Sequence, residues 1–186
     1  IISASYCTDI PVFYRDWLIA RLDAGFYCTV NPYDYQIHTI RLDLEAVSGF
    51  VFWTKNLGPF YPKLKMVRDR GFPFIVQFTI NAYPRELETA VIHAERAISH
   101  MRDLASEFGS RVGVWRYDPV VATSMTPPDW HVDNFAQLAD RLVGTTDEAV
   151  ISFAHIYRKT RINMDAASRL HGFGWDDPPD DEKREL

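Results

Sequence analysis

Short apolar runs alternate with longer segments of helical periodicity along most of this chain. The apolar runs predict strands at 1–5, 49–53, 73–78, 112–115 and 148–153. Apolar residues spaced three and four apart predict helices at 57–70, 85–108, 128–142 and 156–170. Continuous apolar strands that alternate with helices are typical of parallel β-α-β units. We therefore predict an α/β fold, either a parallel (β/α) barrel or a partial TIM-like barrel.

A different pattern interrupts this alternation near the N-terminus. Residues 26–30 and 36–42 predict two strands, and the segment Asn31-Pro32-Tyr33-Asp34 between them is a turn sequence, so we expect a small β-hairpin insertion. Ahead of it, the segment Thr8-Asp9-Ile10-Pro11 combines a capping residue with a proline suited to a first helical turn. We expect one barrel-type domain over residues 1–186.

Composition narrows the class of protein. The formal net charge of −5 argues against a surface that coats nucleic acid. Only Cys7 and Cys28 are present, which excludes a disulfide framework and favours a reducing compartment. No apolar run approaches the ~20 residues of a membrane helix. We predict a cytoplasmic protein without a membrane partner, and the histidine spacing predicts no metal site.

Polar residues gather where each predicted barrel strand ends. In a parallel barrel these ends lie on the face that carries active sites. The candidate catalytic residues are Asp9, Lys55, Arg116 and Asp118. The candidate ligand-binding residues are Ser5, Trp53, Asn56, Gln77, Thr79, Asn81, Tyr117, Ser152, Tyr157 and Lys159. Strand ends also need caps and turns, so the whole collection is stronger evidence than any one residue.

The charged candidates have two interpretations each. Lys55 and Arg116 suit a carboxylate or phosphate, because a guanidinium bonds two oxygens at once. The alternative is that Arg116 pairs with Asp9 or Asp118 and only stabilises the barrel end. Asp9 and Asp118 suit a base or a cation ligand, while the proline that follows Asp118 equally favours a cap or turn.

The neutral candidates point to a small-molecule or nucleotide-like ligand. The amides of Gln77 and Asn81 recognise polar groups by directional hydrogen bonds. Trp53, Trp115 and Tyr117 are able to stack on a planar ligand such as a nucleobase, although aromatic residues at strand ends more often serve only packing. The sequence contains no P-loop, GxGxxG, GxSxG or HExxH motif, which argues against nucleotide hydrolysis, classical dehydrogenases and serine hydrolases.

These motifs, taken in order, resemble those of DUF1848, a bacterial family of unknown function. The matching segments are Ile2-Ser3-Ala4-Ser5 with Thr8-Asp9-Ile10-Pro11, Asn31-Pro32, Phe52-Trp53-Thr54-Lys55-Asn56, Gln77-Phe78-Thr79-Ile80-Asn81, Trp115-Arg116-Tyr117-Asp118-Pro119, and Ile151-Ser152-Phe153 with Tyr157, Lys159 and Thr160. The resemblance implies a C-terminal cysteine cluster in full-length members, similar to the [4Fe–4S] site of radical S-adenosylmethionine (SAM) enzymes. It therefore implies a [4Fe–4S] cluster and SAM as cofactors of the full-length protein.

The chain departs from this family pattern in two places. Tyr6-Cys7 stands where family members carry a basic pair, and the cysteine cluster is missing from residues 1–186. Two cysteines do not hold such a cluster, so we expect no cofactor in this chain and a natural protein that continues beyond residue 186.

We predict the barrel portion of a radical-SAM-like iron–sulfur enzyme, with its ligand at the strand ends. In that scheme Lys55 and Arg116 hold an anionic group, while Tyr117 and Asp118 position the substrate. The first alternative is a non-redox barrel lyase or hydrolase that uses Asp9, Lys55 and Asp118. The second is a nucleotide or nucleic-acid binding module, against which the acidic balance counts.

Overall fold

The computed structural model describes residues 1–4 and 8–185. Its strands are β1 (Ile2–Ala4), β2 (Phe26–Val30), β3 (Ile37–Arg41), β4 (Phe50–Thr54), β5 (Phe74–Thr79), β6 (Gly113–Val120) and β7 (Ala149–Phe153). Its α-helices are α1 (Ile10–Phe13), α2 (Arg15–Ala24), α3 (Tyr61–Asp69), α4 (Ala94–Phe108), α5 (Pro128–Leu142), α6 (Arg158–His171) and α7 (Asp180–Glu185). A 3-10 helix, Gly58–Phe60, precedes α3.

A central parallel sheet organises the fold. Its five strands follow the order β1-β4-β5-β6-β7, and β1 with β4, β4 with β5, and β6 with β7 pair in parallel. Strands β2 and β3 form a separate antiparallel hairpin. The predicted α/β class, parallel strands and hairpin insertion are therefore confirmed, whereas closure into a barrel stays a prediction. Within the described residues, none of the helices combines the length and apolar character needed to cross a membrane.

The chain divides into two compact units, Ile1–Phe78 and Thr79–Leu186. In the first unit, alternate residues of β4 are buried, and the ring of Phe52 meets that of Phe60 at 4.8 Å. In the second unit, α4 buries Ile98, Met101 and Leu104. Each such side chain stabilises the fold by about 2 kcal/mol through removal of apolar surface from water. The prediction of a single barrel-type domain is left untested by this division.

The prediction of one helix over 85–108 is wrong in its first part. Helix α4 begins only at Ala94. The guanidinium of Arg85 donates to the backbone oxygen of Val91 at 2.5 Å and lies 3.4 Å from that of Glu88. These contacts hold a compact loop, and the β-branched residues Val91 and Ile92 have a low preference for helix.

The prediction that the fourth barrel strand ends at residue 115 is also wrong. Strand β6 continues to Val120. Its register against β7 shifts between Tyr117 and Val120, so Pro119 lies at an irregularity of the ladder. A proline has no N–H to donate and is tolerated at such a position. The Asp118–Pro119 peptide bond is cis.

Candidate functional site

Strand β6 sends its polar and its aromatic side chains to opposite faces. Trp115 and Tyr117 are buried at 2% exposure, while Arg116 and Asp118 between them are only partly buried. Successive side chains of a strand alternate in this way. The four residues from Trp115 to Asp118 therefore form two pairs. Trp115 and Tyr117 share one face, and Arg116 and Asp118 share the other. A ligand on that face meets the charged pair.

The carboxylate of Asp118 is the centre of a polar cluster in the second unit. One oxygen accepts hydrogen bonds from Nε and Nη2 of Arg116, the Nε bond measuring 2.8 Å. The other oxygen accepts a hydrogen bond from Oγ of Ser152 on β7. The side chains of Arg116 and Asp118 remain 14% and 21% exposed. Of the two interpretations of Arg116, the structure therefore displays the pair with Asp118.

Asn81 fixes the backbone on which this carboxylate sits. Its Oδ1 accepts from the backbone N–H of Asp118 at 3.0 Å, and its Nδ2 lies 3.3 Å from the backbone oxygen of the same residue. The side chain of Asn81 thus makes the backbone hydrogen bonds that a neighbouring strand would make at Asp118. Asn81 is almost fully buried. The predicted ligand contact of Asn81 competes with this clamp, because the Oδ1 and the Nδ2 of its side chain already have partners.

Tyr83 continues the clamp along β6. Its hydroxyl donates to the backbone oxygen of Pro119 at 2.8 Å and accepts from the N–H of Val121 at 3.0 Å. Burial raises the pKa of the Tyr83 phenol, so the group stays protonated and keeps donating. Together with Asn81, it satisfies the backbone on both sides of the irregularity in β6.

A second, buried network lies on the opposite face of β6, against α5. The hydroxyl of Tyr117 lies 2.8 Å from Nδ1 of His131 and accepts a hydrogen bond from Nδ2 of Asn134 at 3.0 Å. Nε2 of His131 donates to the backbone oxygen of Val121 at 3.1 Å. A carbonyl only accepts, so Nε2 carries the proton. Tyr117 then donates to an unprotonated Nδ1.

Burial perturbs both titratable members of this network. It lowers the pKa of His131, against the opposing effect of the Val121 carbonyl. Burial also raises the pKa of Tyr117, which the hydrogen bond from Asn134 partly offsets. Both shifts favour the neutral forms that the hydrogen bonds require.

A cavity of about 270 Å³ opens beside Asn81, between the end of β5 and the start of α4. Its polar lining includes Thr79, Asn81, Tyr83, Arg85, Glu88 and His93. Thr79 therefore lines a cavity, and a ligand-binding residue needs such access. The cavity and the Asp118 cluster share Asn81, and both lie within the second unit.

In the first unit, Asp9 joins the start of α1 to the end of β4. Its Oδ1 accepts from the N–H of Val12 and its Oδ2 from Oγ1 of Thr54, each at 2.9 Å. Burial raises the pKa of the Asp9 carboxyl, and the hydrogen bonds from Val12, Thr54 and the Lys55 backbone act against it. The predicted capping role is confirmed, while a role as base stays a prediction.

The other candidates of the first unit lie at the ends of β4 and β5. The indole of Trp53 donates to Oγ of Ser3 at 2.9 Å, and Oδ1 of Asn56 accepts from the N–H of Gly58 at 3.2 Å. Lys55 and Gln77 are partly buried. Ser5, like Tyr6 and Cys7, lies outside the described residues, so its predicted role has no structural test.

The candidates on and after β7 differ in exposure. Ser152 belongs to the Asp118 cluster. Tyr157 is 69% exposed and directly precedes α6, and Lys159 is exposed in the first turn of that helix. The binding roles of Tyr157 and Lys159 stay predictions.

A family model described as a domain of unknown function, DUF1848, matches residues 1–186. This chain belongs to the DUF1848 family. The family resemblance of the sequence motifs is thereby confirmed over the whole chain. Comparison with curated proteins finds no match, and comparison with solved structures finds none. The site of this DUF1848 chain is therefore interpreted from its own geometry.

Sequence reasoning missed three polar residues of this DUF1848 chain, namely Tyr83, His131 and Asn134. His131 and Asn134 lie on a helix whose apolar spacing alone was analysed, and their partner Tyr117 is more than a dozen residues away in the sequence. No local motif signals such a long-range contact. Among residues 1–4 and 8–185, no group of three or more His, Cys, Asp or Glu side chains is placed to hold a metal ion.

Proposed function

We propose that this chain is the barrel portion of a cytoplasmic, radical-SAM-like enzyme, with a small-molecule or nucleotide-like ligand at the carboxyl ends of β6 and β7. The observation that carries the proposal is the Asp118 cluster. Arg116 and Ser152 hold the carboxylate at the strand ends, and Asn81 clamps its backbone beside a cavity of about 270 Å³. Strand ends of parallel sheets are the usual position of active sites.

The barrel part of the proposal rests on the parallel sheet. Parallel strands linked by helices form open doubly wound sheets or closed barrels, and both place ligands at the carboxyl ends. The order β1-β4-β5-β6-β7 follows the chain without reversal once the hairpin strands are set aside. Sequential order is a property of barrels, whereas doubly wound sheets reverse direction at a switch point.

The cysteines of this chain do not fit an iron–sulfur cluster. Cys28 is exposed on the hairpin, and Cys7 is the only other cysteine in the chain. Clusters of this class use three or four cysteine thiolates. The radical-SAM interpretation therefore requires cysteines outside residues 1–186, and no step through the cluster follows from the residues present.

The charged pair suggests what kind of ligand the site binds. Arg116 and Asp118 present opposite charges on one face of β6, and both keep some exposure to solvent. An α-amino carboxylate carries the complementary charges, so its carboxylate replaces Asp118 at Arg116 while its ammonium pairs with Asp118. SAM carries such a group, and so do many smaller substrates.

A non-redox enzyme is the second candidate, and the hydrogen bond between Ser152 and Asp118 favours it. A hydroxyl that donates to a carboxylate is poised to transfer its proton, which is the arrangement of an acid–base pair. This chemistry needs no cluster and uses residues that the chain itself provides.

Calorimetric titration of the chain with SAM, S-adenosylhomocysteine and methionine tests the ligand class. We expect Asp118→Asn and Arg116→Ala to weaken binding about 10-fold or more, since each removes one charge of the complementary pair. Asp140→Asn, on the exposed side of α5, is the matched control. Binding that survives both cluster variants would remove the strand ends of β6 and β7 from the site.

The redox class needs a separate experiment on the natural full-length protein, purified without oxygen and supplied with iron and sulfide. An EPR signal of a reduced [4Fe–4S] cluster that changes on addition of SAM supports the radical-SAM interpretation. A protein that binds the ligand but never assembles a cluster supports the non-redox alternative instead.

A further inference from the structure

The hairpin of β2 and β3 exposes an apolar outer face. Phe26, Val30 and Ile37 are 43%, 55% and 70% exposed. The strand register pairs Val30 with Ile37 and Cys28 with Thr39, so these side chains share that face. On the opposite face, the ring of Tyr27 meets that of Trp17 at 5.9 Å. A two-stranded hairpin with one exposed apolar face is only marginally stable by itself in water.

The hydrogen bonds of the hairpin show which backbone groups point away from it. Leu42 donates to the oxygen of Gly25, and Asn31 donates to the oxygen of Gln36. Antiparallel pairs alternate between bonded and non-bonded positions, so the odd residues of β2 bond to β3. The N–H and C=O groups of Phe26, Cys28 and Val30 therefore point to the outer edge of β2. No described strand pairs with that edge.

We propose that the outer edge of β2 binds a second copy of this chain, with the two β2 strands antiparallel and centred on Cys28. Phe26 of one copy then lies opposite Val30 of the other, and Cys28 lies opposite its own counterpart. Each of these three residue pairs exchanges two backbone hydrogen bonds. Aromatic residues beside β-branched residues are favourable cross-strand neighbours.

Charge favours a second copy over an unrelated partner. Strand β2, Phe26-Tyr27-Cys28-Thr29-Val30, contains no charged residue, so no like charges face each other across the two paired strands. Edge strands that avoid pairing usually carry charges such as lysine. Strand β3 carries Arg41, whose guanidinium is paired with Asp43 and Glu45. The uncharged edge is thus the one whose sequence complements itself.

The size of the contact predicts a weak, reversible dimer. Edge pairing of five-residue strands, about 17 Å long, buries on the order of 300 Å² per copy, against ~800 Å² per partner in a standard interface. The resulting sheet has four strands, and three or more strands are needed for independent stability. We therefore expect dimerisation in the range of about 10 μM to 1 mM.

Cys28 provides a direct reporter of this geometry. Opposed residues at a bonded antiparallel position have Cα atoms about 5.5 Å apart, which suits a disulfide. In a Cys7→Ser background, the oxidant diamide takes the two thiol hydrogens and leaves a Cys28–Cys28 disulfide. The matched control combines Cys7→Ser and Cys28→Ser with Thr39→Cys. Two copies of residue 39 lie three strand spacings apart, about 14 Å, and do not link.

Two proline variants test the edge itself by sedimentation equilibrium. Val30→Pro removes an outward N–H of β2 that the hairpin does not use, so we expect dimer affinity to fall at least 10-fold. Ile37→Pro removes the corresponding outward N–H of β3, and we expect it to leave the dimer intact. Both chains should stay folded by circular dichroism, because neither N–H bonds within the hairpin.

Each outcome decides the proposal. Concentration-dependent dimers that link through Cys28 and are lost only with Val30→Pro support it. A monomer up to 1 mM refutes it. Dimers lost with Ile37→Pro alone assign the contact to β3, and dimers insensitive to both prolines assign it to another surface; both results overturn the proposal. Ligand binding at the Asp118 cluster does not enter any of these measurements.

Discussion

Removal of the Tyr117 hydroxyl tests the buried network between β6 and α5. Tyr117→Phe keeps the ring and deletes one oxygen, which accepts from Nδ2 of Asn134 and donates to Nδ1 of His131. The site is shielded from water, so no solvent molecule replaces the lost group. We expect the free energy of unfolding to fall by about 2–3 kcal/mol.

The two lost hydrogen bonds contribute unequally to this figure. Nδ1 of His131 is left as a buried acceptor without a donor, which costs about 1–3 kcal/mol. Asn134 keeps a second acceptor, because its Nδ2 also donates to the backbone oxygen of Asn81 at 2.8 Å. The loss of the hydrogen bond from Asn134 to Tyr117 therefore costs an amount at the low end of the ~0.5–1.5 kcal/mol that a typical hydrogen bond contributes to stability.

Urea unfolding followed by circular dichroism measures the change, and Tyr157→Phe is the matched control. Tyr157 belongs to the same unit but is 69% exposed, so deletion of its hydroxyl should change the free energy of unfolding by less than about 0.5 kcal/mol. If Tyr117→Phe and Tyr157→Phe agree within 0.5 kcal/mol, the buried network does not stabilise the fold and the reasoning is refuted.

Three further predictions concern pH and backbone. His131 titrates below its usual value near 6.5, so the unfolded state takes up a proton first and stability falls as the pH drops below about 6.5; NMR titration of the ring measures the pKa. Burial raises the pKa of Asp9, so its carboxylate lowers stability as the pH rises above about 4. Asp9→Asn still caps α1, so relative to the wild type it should raise the free energy of unfolding more at pH 7 than at pH 4. An equal change at both pH values contradicts this. Gly49→Ala places a Cβ 2.9 Å from the Pro73 oxygen at φ +157 and should cost about 2 kcal/mol, whereas Gly174→Ala, which meets nothing within 4 Å, should cost less than about 0.5 kcal/mol in the same urea assay.

The regular elements of this chain were predictable because local apolar spacing dictates them. Strand β2 and helix α5 begin and end where the spacing predicts, at 26–30 and 128–142. The start of α4 was not predictable, because the side chain of Arg85 binds backbone carbonyls that a helix would have used. The extension of β6 past Pro119 depends on a register shift against another strand, and no local pattern encodes it.

The candidate site was predictable to a similar degree. Strand ends indicated Arg116, Asp118 and Ser152, and these three side chains form one cluster. The sequence analysis grouped Tyr117 with these residues, although the alternation of side chains along a strand implies that Tyr117 faces the other way. His131 was missed because its partner is distant in the chain, and a lone histidine in a helix carries no signal of its tautomer or its burial.

Asn134 links the Asp118 cluster to the buried network on the other face of β6. Its Nδ2 donates to the backbone oxygen of Asn81 and to the hydroxyl of Tyr117. Asn81 clamps the backbone of Asp118, and Tyr117 is the preceding residue of the same strand, so one amide restrains the carboxylate from both sides. These bonds are partly buried, so solvent compensates only in part when they break. A ligand that displaces Arg116 from Asp118 therefore meets a carboxylate whose backbone stays in place, and the rearrangement falls on the Arg116 side chain.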